Sequence, residues 1–213
     1  MTPEAGLADL QGPAGNVYDK YGTRNPVARL LVDRFLRAVD EAVREVAGAR
    51  VLDVGCGEGV VSERIARLLP DAQVLGVDVD DPGLRAEWEH RQRGNLAFET
   101  GSAYSLPHED GSFDLVCAFE VLEHLERPAE ALGELARVST EHLVLSVPRE
   151  PIWRVLNVLS GRYVRALGNT PGHLNHWSRR SFVRFVSQVA EVRSVTSPFP
   201  WTCVWAVLPG GEA

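Results

Sequence analysis

Two aspartates, each near the end of an apolar run, are the residues whose chemistry best suits the binding of a ligand. Asp53 lies in Val51–Val54, which leads directly into a loop with three alternate glycines, Gly55–Gly59. Asp78 ends the second apolar run, Gln73–Asp78. A carboxylate accepts hydrogen bonds from a vicinal diol and attracts an ammonium group, whereas it repels a pyrophosphate. The pair therefore favours a ligand that carries a positive charge.

The glycines themselves indicate a strand, a tight turn and the start of a helix. Side chains in such a turn would block a ligand from reaching the backbone, and the turn is expected to need φ above zero. The spacing is G-x-G-x-G, whereas a dinucleotide loop has G-x-G-x-x-G. A dinucleotide oxidoreductase is therefore disfavoured, and the 213 residues are expected to form one domain, without the second domain of such an enzyme.

The elements that position these residues alternate between strand and helix, which predicts a parallel sheet with right-handed crossovers. The predicted strands are Arg50–Val54, Gln73–Asp78, Leu96–Thr100, Phe113–Ala118, His142–Val147, Val192–Ser197 and Thr202–Leu208. The predicted helices are Pro26–Ala47, Val60–Leu69, Gly83–Arg91, Ala129–Val138, a short one over Pro151–Leu159 and one from Ser178 to Val189. Ligands bind at the carboxyl ends of the strands in open sheets of this kind. Both aspartates are expected at that edge.

Four segments in order resemble the class I S-adenosylmethionine-dependent methyltransferases. They are Val51–Gly59, Gln73–Asp78, Leu106–Val116 and the sequence Glu120-Val121-Leu122-Glu123-His124, within a match that spans roughly Val51 to Pro148. The resemblance implies a single-domain, Rossmann-like α/β fold, with a mostly parallel seven-stranded sheet, helices on both faces and an antiparallel edge strand. It also implies S-adenosylmethionine as the cofactor.

The resemblance assigns cofactor roles to thirteen residues. They are Tyr18, Tyr21, Arg24, Asp53, Gly55, Cys56, Gly57, Asp78, Val79, Ser102, Ala103, Phe119 and Glu120. Asp53 would hold the amino-acid end of the cofactor, Asp78 the ribose hydroxyls, and Val79 one wall of the adenine slot. The alternative for Asp78 is to cap the next helix, a role for which Asp80 and Asp81 compete. The family commonly has an acid where Ser102 stands, and a serine there still offers a hydrogen bond to the adenine amino group.

The segment before the first helix has two interpretations. In the family a tyrosine or arginine of such a segment closes over the cofactor, which makes Tyr18, Tyr21 and Arg24 candidates. The alternative is a packed entry turn. Cys56 is expected to fit beside the ligand and not to act as a nucleophile, and all three cysteines are expected to be free thiols.

Three histidines, His124, His173 and His176, are the candidates for a catalytic general base. Histidine titrates near neutral pH, which suits deprotonation of a hydroxyl, although positioning of an activated methyl group makes a base optional. Each histidine has a structural alternative, namely orientation of a loop or stacking on an aromatic ring. No metal site is predicted as the first choice. The alternative is that Glu120, Glu123 and His124, with His176, bind Mg²⁺ or a similar ion, because their spacing resembles the metal-binding residues of the ubiquinone-pathway O-methyltransferases and the small-RNA 2′-O-methyltransferases.

Composition sets limits on partners and location. The formal charge of −7 argues against a general nucleic-acid or anionic-membrane binder, although a local basic patch remains compatible with it. No long apolar stretch or signal-like N-terminus is evident, so a cytoplasmic protein is expected. Residues 1–16 are expected to form a flexible arm and residues 17–213 one domain, with an insertion over about 149–177 that covers the acceptor. Most of the arginines concentrated in the last third are expected on solvated helix faces, and the alternative is that some of them bind an acidic acceptor.

The main functional hypothesis is methyl transfer from S-adenosylmethionine to a small-molecule acceptor, with oxygen favoured over nitrogen or carbon. The first alternative is a metal-assisted 2′-O-methyltransferase of RNA, and the second is a module that binds the cofactor without turnover.

Overall fold

The protein is described by a computed structural model that covers residues 25–46, 48–161 and 163–210 of the 213. Seven strands form one sheet in the order β3-β2-β1-β4-β5-β7-β6. The strands are β1 Arg50–Val54, β2 Gln73–Asp78, β3 Leu96–Thr100, β4 Phe113–Phe119, β5 Ser139–Pro148, β6 Glu191–Thr196 and β7 Trp201–Val207. The first five are parallel, and β7 is antiparallel to both of its neighbours, β5 and β6. The predicted fold is confirmed.

Six α-helices accompany these strands among the described residues. They are α1 Pro26–Val46, α2 Val60–Leu68, α3 Pro82–Arg91, α4 Pro128–Val138, α5 Ile152–Leu159 and α6 Arg179–Val186. Short 3-10 turns occupy Leu122–His124 and Val164–Ala166. None of the described helices is both long and apolar enough to cross a membrane.

Three of the six described helices begin at a residue whose side chain caps them. Asn25 accepts a hydrogen bond from the Val27 amide at 2.9 Å and caps α1, with Pro26 at its first position. Ser178 caps α6 through the Ser181 amide. Asp81 caps α3 through the amides of Gly83 and Leu84, so Asp78 is not needed for that role.

Two apolar cores cover the two faces of the sheet. On one face α1 and α2 pack through Phe35, Val39 and Ile65, while on the other α4 and α6 pack through Leu132 and Phe182. A bidentate ion pair between Arg64 and Asp40 joins α1 to α2. Both cores lie behind the carboxyl ends of the strands and hold that edge of the sheet in place.

Candidate cofactor and acceptor site

A cavity of about 660 Å³ opens at the carboxyl ends of β1, β2 and β4. Its walls come from the first two turns of α1, the glycine loop, the exits of β2 and β4, and the insertion after β5. The residues used below that line it are Asp53, Gly55, Cys56, Gly57, Asp78, Val79, Ser102, Ala103, Phe119, Glu120, Val121, Glu123, His124, Trp153, Leu156, Asn157, Ser160, Tyr163, Thr170, His173 and Trp201. The sheet edge predicted to bind a ligand therefore borders a cavity.

Asp53 is almost completely buried at the end of β1. Its Oδ2 accepts a hydrogen bond from the Ser62 hydroxyl of α2 at 2.6 Å. Burial raises the pKa of this carboxyl to about 7, and the negative charge of Asp78 also raises it. The hydrogen bond from Ser62 acts in the opposite direction and lowers the pKa. A cation bound in this part of the cavity would lower the pKa of Asp53, because a positive charge stabilises the ionised carboxylate.

Asp78 is fixed by two backbone amides. Its Oδ2 accepts from Gly57 at 2.6 Å and its Oδ1 from Val79 at 2.7 Å. Burial raises the pKa of Asp78, and the two amide hydrogen bonds lower it. Each carboxylate oxygen has a further lone pair, so the group retains the capacity to accept from a diol.

The glycine loop has the conformation that its sequence predicts. Gly55, Gly57 and Gly59 have φ of 73°, 54° and 79°, in the left-handed region. A Cβ at Gly55 would lie 2.3 Å from Cγ2 of Val121, so the loop leaves no room for a side chain there. The amides of Gly55 and Cys56 donate to the Val77 carbonyl, which ties the loop to β2.

Cys56 lies within this loop as a partly buried free thiol. Burial, together with the nearby charges of Asp53 and Asp78, raises the pKa of its thiol. The thiol is thus protonated at neutral pH, and the group is a poor nucleophile. This agrees with the interpretation of Cys56 as a residue that fits beside the ligand.

The exit of β4 is strained. Glu120 has φ of 62°, which a residue with a side chain rarely adopts. Its Oε2 accepts a hydrogen bond from the Trp201 indole at 2.6 Å. Trp201 also packs against Phe35 of α1 and Trp153 of α5, with ring centroids 5.0 and 5.7 Å away. A single buried tryptophan thus joins the β4 exit, the first helix and the insertion.

His124 has a defined tautomer in its neutral form. Its Nδ1 lies 3.0 Å from the Gly172 carbonyl, which only accepts hydrogen bonds, so Nδ1 carries the proton. Nε2 then carries the lone pair, 4.0 Å from a carboxylate oxygen of the buried Glu123. The ring of His173 packs edge-on against His124 at 4.9 Å between centroids. This arrangement suits proton abstraction, because the carboxylate stabilises the imidazolium that forms.

The insertion returns to the sheet beside His124 and is held there by backbone hydrogen bonds. The Glu123 carbonyl accepts from the amides of Leu174 and Asn175, at 2.8 and 3.0 Å. The Asn175 side chain donates to the carbonyls of Leu122 and Leu125. Asn175 therefore fixes the insertion against the turn that bears Glu123 and His124.

Helix α5 covers the cavity with one of its faces. Trp153, Leu156, Asn157 and Ser160 recur at helical spacing and line the cavity. The Thr170 hydroxyl accepts from the Trp153 indole at 2.9 Å and from the Asn157 amide at 3.1 Å. Trp153 also stacks on His173, with centroids 6.2 Å apart.

Twelve of the sixteen residues that the sequence singled out border this cavity. Those that do are Asp53, Gly55, Cys56, Gly57, Asp78, Val79, Ser102, Ala103, Phe119, Glu120, His124 and His173. His176 is exposed and is not among the lining residues, in contrast to the position expected of a catalytic residue or metal ligand. Tyr18, Tyr21 and Arg24 lie outside the described residues.

A group of potential metal ligands also differs from the expected set. Ligand atoms of Glu123, His124 and His173 lie within 4.8 Å of one another. The group takes His173 in place of His176 and does not include Glu120, whose carboxylate accepts from Trp201. One carboxylate and two imidazoles suit zinc or a similar transition metal better than magnesium, which prefers oxygen ligands.

Sequence signals existed for some of the residues that were missed. Ser62 is a polar residue on the buried face of α2, nine residues after Asp53, and such a residue commonly bonds a buried polar group. Trp201 and Asn175 had no such signal, because their contacts with Glu120 and the Leu122–His124 turn join segments far apart in the chain.

The sheet order, the glycine loop and the two acids at adjacent strand ends together define a Rossmann-like methyltransferase fold. A family model described as a methyltransferase domain matches residues 52–142. The chain is 38% identical over 99 residues to an uncharacterized methyltransferase of Schizosaccharomyces pombe, covering 42% of this chain and 36% of that protein. It is 29% identical over 194 residues to the ubiquinone biosynthesis O-methyltransferase of Acinetobacter baylyi, which covers 88% of this chain and 79% of that protein.

Solved structures agree on the fold. Magnesium protoporphyrin IX methyltransferase of Synechocystis, with S-adenosylhomocysteine bound, superposes with a TM-score of 0.63 at 22% identity, covering 88% of this chain and 89% of that one. The chain spans about a third of the length of the Schizosaccharomyces relative. The chain is thus similar to the class I S-adenosylmethionine-dependent methyltransferases, by sequence over residues 52–142 and by fold over most of its length, which supports S-adenosylmethionine as the cofactor.

Proposed function

We propose that the protein transfers a methyl group from S-adenosylmethionine to an oxygen of a small-molecule acceptor. The observation that carries the proposal is one cavity lined both by two acids, the buried Asp53 and the partly buried Asp78, and by an oriented imidazole, His124. The acids suit a cationic nucleoside, and the imidazole suits a hydroxyl that must lose its proton. The name of the Acinetobacter relative supports an oxygen acceptor.

At the cofactor end, Asp78 would accept hydrogen bonds from the ribose hydroxyls, and Val79 would contact the adenine. The carboxylate of Asp53 would attract the ammonium group at the amino-acid end of the cofactor. Two neighbouring carboxylates with raised pKa values favour a cation, since ionisation of both becomes less costly when a positive charge lies nearby. Ser102 and Ala103 line the same part of the cavity as candidates for the adenine edge.

At the acceptor end, His124 would take the hydroxyl proton on Nε2 while Nδ1 donates to the Gly172 carbonyl. The Glu123 carboxylate, 4.0 Å from Nε2, would stabilise the resulting imidazolium. Trp153 and Phe119 exclude water and supply flat apolar walls that orient the acceptor. The cofactor supplies an already activated methyl group, so orientation and proton removal are what the protein must add.

A second candidate is the same transfer with a metal ion, because Glu123, His124 and His173 lie close enough together to share one. A divalent ion held there would lower the pKa of an acceptor hydroxyl. His124 would then be a ligand through Nε2 and would not act as a base. Titration of the protein with Co²⁺, followed by its absorption spectrum, tests the site without an activity assay.

The experiment that tests the function uses methyl-labelled S-adenosylmethionine and a cell extract, with the labelled product identified by mass spectrometry. The His124→Gln variant should bind S-adenosylhomocysteine as the wild type does and lose at least about a hundredfold in turnover. Loss of wild-type turnover on chelation, restored by a metal, would favour the second candidate. Cofactor binding without any labelled product would favour a binding module.

A further inference from the structure

We propose that the outer face of α5 and the turn after it form a docking surface for an anionic lipid bilayer. We name this docking surface the α5 patch and define it by Val155, Val158, Leu159, Leu167 and Arg154, which border one shallow groove on the outside of the protein. The inference does not depend on the proposed acceptor chemistry.

Helix α5 carries apolar side chains on both of its faces. Its inner face lines the cavity, whereas Val155, Val158 and Leu159 point outwards, and no residue of the helix is fully buried. Val155 is 53% exposed, Leu159 is 78% exposed and Leu167 is 73% exposed. A surface helix of a monomeric protein normally has a polar outer face, so an outer face of this kind indicates a partner.

The turn after α5 holds its exposed leucine in a strained conformation. Leu167 has φ of 50°, as does Tyr163 at the other end of the same 3-10 turn. The turn is fixed to the helix, because Arg154 Nε donates to the Leu167 carbonyl and Asn157 Nδ2 to that of Gly168. The packing therefore keeps an exposed leucine in place at a cost in backbone strain, as is common at functional positions.

The charge around the α5 patch favours an anionic surface. The stretch from Pro151 to Trp177 contains three arginines and neither aspartate nor glutamate, in a chain with a formal charge of −7. Arg154 borders the groove, and Arg165 is exposed in the same turn as Leu167. Apolar side chains among arginines are the pattern of a helix that lies in a membrane interface.

A second copy of the chain fits the α5 patch less well. A symmetric dimer would bring each patch against its own copy, and the arginines of both would face each other with no acid in this stretch to pair with them. Phosphate headgroups would instead pair with the arginines, while the acyl region would accept the leucines and valines. We therefore assign the surface to a bilayer.

The test is flotation of the whole protein with vesicles of phosphatidylcholine alone or with roughly one third phosphatidylglycerol. We expect flotation with the anionic vesicles only, weakened by salt. The double variant Leu159→Glu with Leu167→Glu should lower the partition coefficient at least about tenfold, and Arg165→Gln about fivefold. The matched controls Leu30→Glu and Arg44→Gln, which change exposed residues of α1, should float as the wild type does.

Equal flotation with neutral and anionic vesicles, or no flotation with either, would overturn the proposal. An equal loss in the control variants would do the same. Sedimentation velocity tests the alternative that a second copy of the chain occupies the α5 patch. If the wild type is a dimer that does not bind vesicles, and the double variant is a monomer, the α5 patch is a dimer interface and the proposal is wrong. Binding of S-adenosylhomocysteine by every variant checks that each one is folded, since none of the substituted side chains lines the cavity.

Discussion

The acid at the end of β1 makes a specific prediction about stability and pH. Burial raises the pKa of Asp53 from its ordinary value of 3.8 to about 7. A group whose pKa is raised in the folded state binds protons more tightly there than in the unfolded chain. Its contribution to the free energy of unfolding is therefore present at low pH and is lost as the pH rises through 7.

The size of this loss follows from the pKa rise. At about 1.4 kcal/mol per pH unit, the rise corresponds to roughly 4 kcal/mol in all, and to about 3 kcal/mol between pH 5 and pH 8. Asp53→Asn keeps an oxygen that accepts from the Ser62 hydroxyl and removes the titration. We expect the free energy of unfolding of the wild type to fall by about that amount relative to the variant over this range.

Urea unfolding of the ligand-free protein at several pH values measures the difference directly. Asp114→Asn is the matched control, since the Arg50 guanidinium and backbone amides lower the pKa of Asp114. The contribution of Asp114 is fully present above its ordinary pKa, so the difference between that variant and the wild type should stay constant from pH 5 to pH 8. A difference for Asp53→Asn that is flat, or that grows in favour of the wild type with pH, would refute the reasoning.

The same titration should appear in ligand affinity. S-adenosylhomocysteine carries an ammonium group, and methylthioadenosine has the same nucleoside without the amino-acid end. If Asp53 acts on the ammonium, affinity for the first should rise with pH up to about 7, because the ionised carboxylate attracts the cation. Affinity for the second should change less. If calorimetry gave the two ligands the same pH dependence, Asp53 would not act on the ammonium group of the amino-acid end.

Three further predictions concern the rest of the cavity. Asp78→Asn should weaken binding of both S-adenosylhomocysteine and methylthioadenosine by about ten- to a hundredfold in calorimetry, since hydrogen bonds to a charged acceptor contribute about 1.5–3 kcal/mol. Gly55→Ala should destabilise the protein by a few kcal/mol in urea, because its Cβ has no room, whereas Gly133→Ala, with open space in α4, should stabilise it by up to about 1 kcal/mol. His173→Gln should reduce turnover in the labelled-product assay, and His176→Gln, at an exposed position, should not.

The sequence was sufficient for the half of the cavity that strands build. The position of Asp78 follows from a short apolar run, and its side chain is then fixed by amides of the next loop and of its own chain. The competing role of Asp78 as a helix cap was resolved only by the structure, in which Asp81 caps α3. Local pattern decides such positions because the partners are close in the chain or lie in adjacent strands.

The insertion between β5 and α6 could not be placed in the same way. His173 and His176 are three residues apart in an irregular segment, and nothing in their spacing says which one turns inwards. The choice is made by Asn175, whose side chain bonds the carbonyls of Leu122 and Leu125, and by the His124 ring, which bonds Gly172. These contacts join segments about fifty residues apart, so they depend on the finished fold.

The two halves of the cavity also differ in how the chain holds them, and this has a functional consequence. Backbone hydrogen bonds to Val77 fix the cofactor end, so it can change little without loss of the sheet edge. The acceptor end depends on side chains: Trp201 packs against Trp153 of the insertion, Asn175 binds the insertion to the Leu122–His124 turn, and Thr170 fixes α5 within the insertion. A substitution at one of these three can therefore reshape the acceptor pocket while the cofactor remains bound. Specificity for the acceptor should thus be determined by the insertion, and affinity for the cofactor by the first two strands.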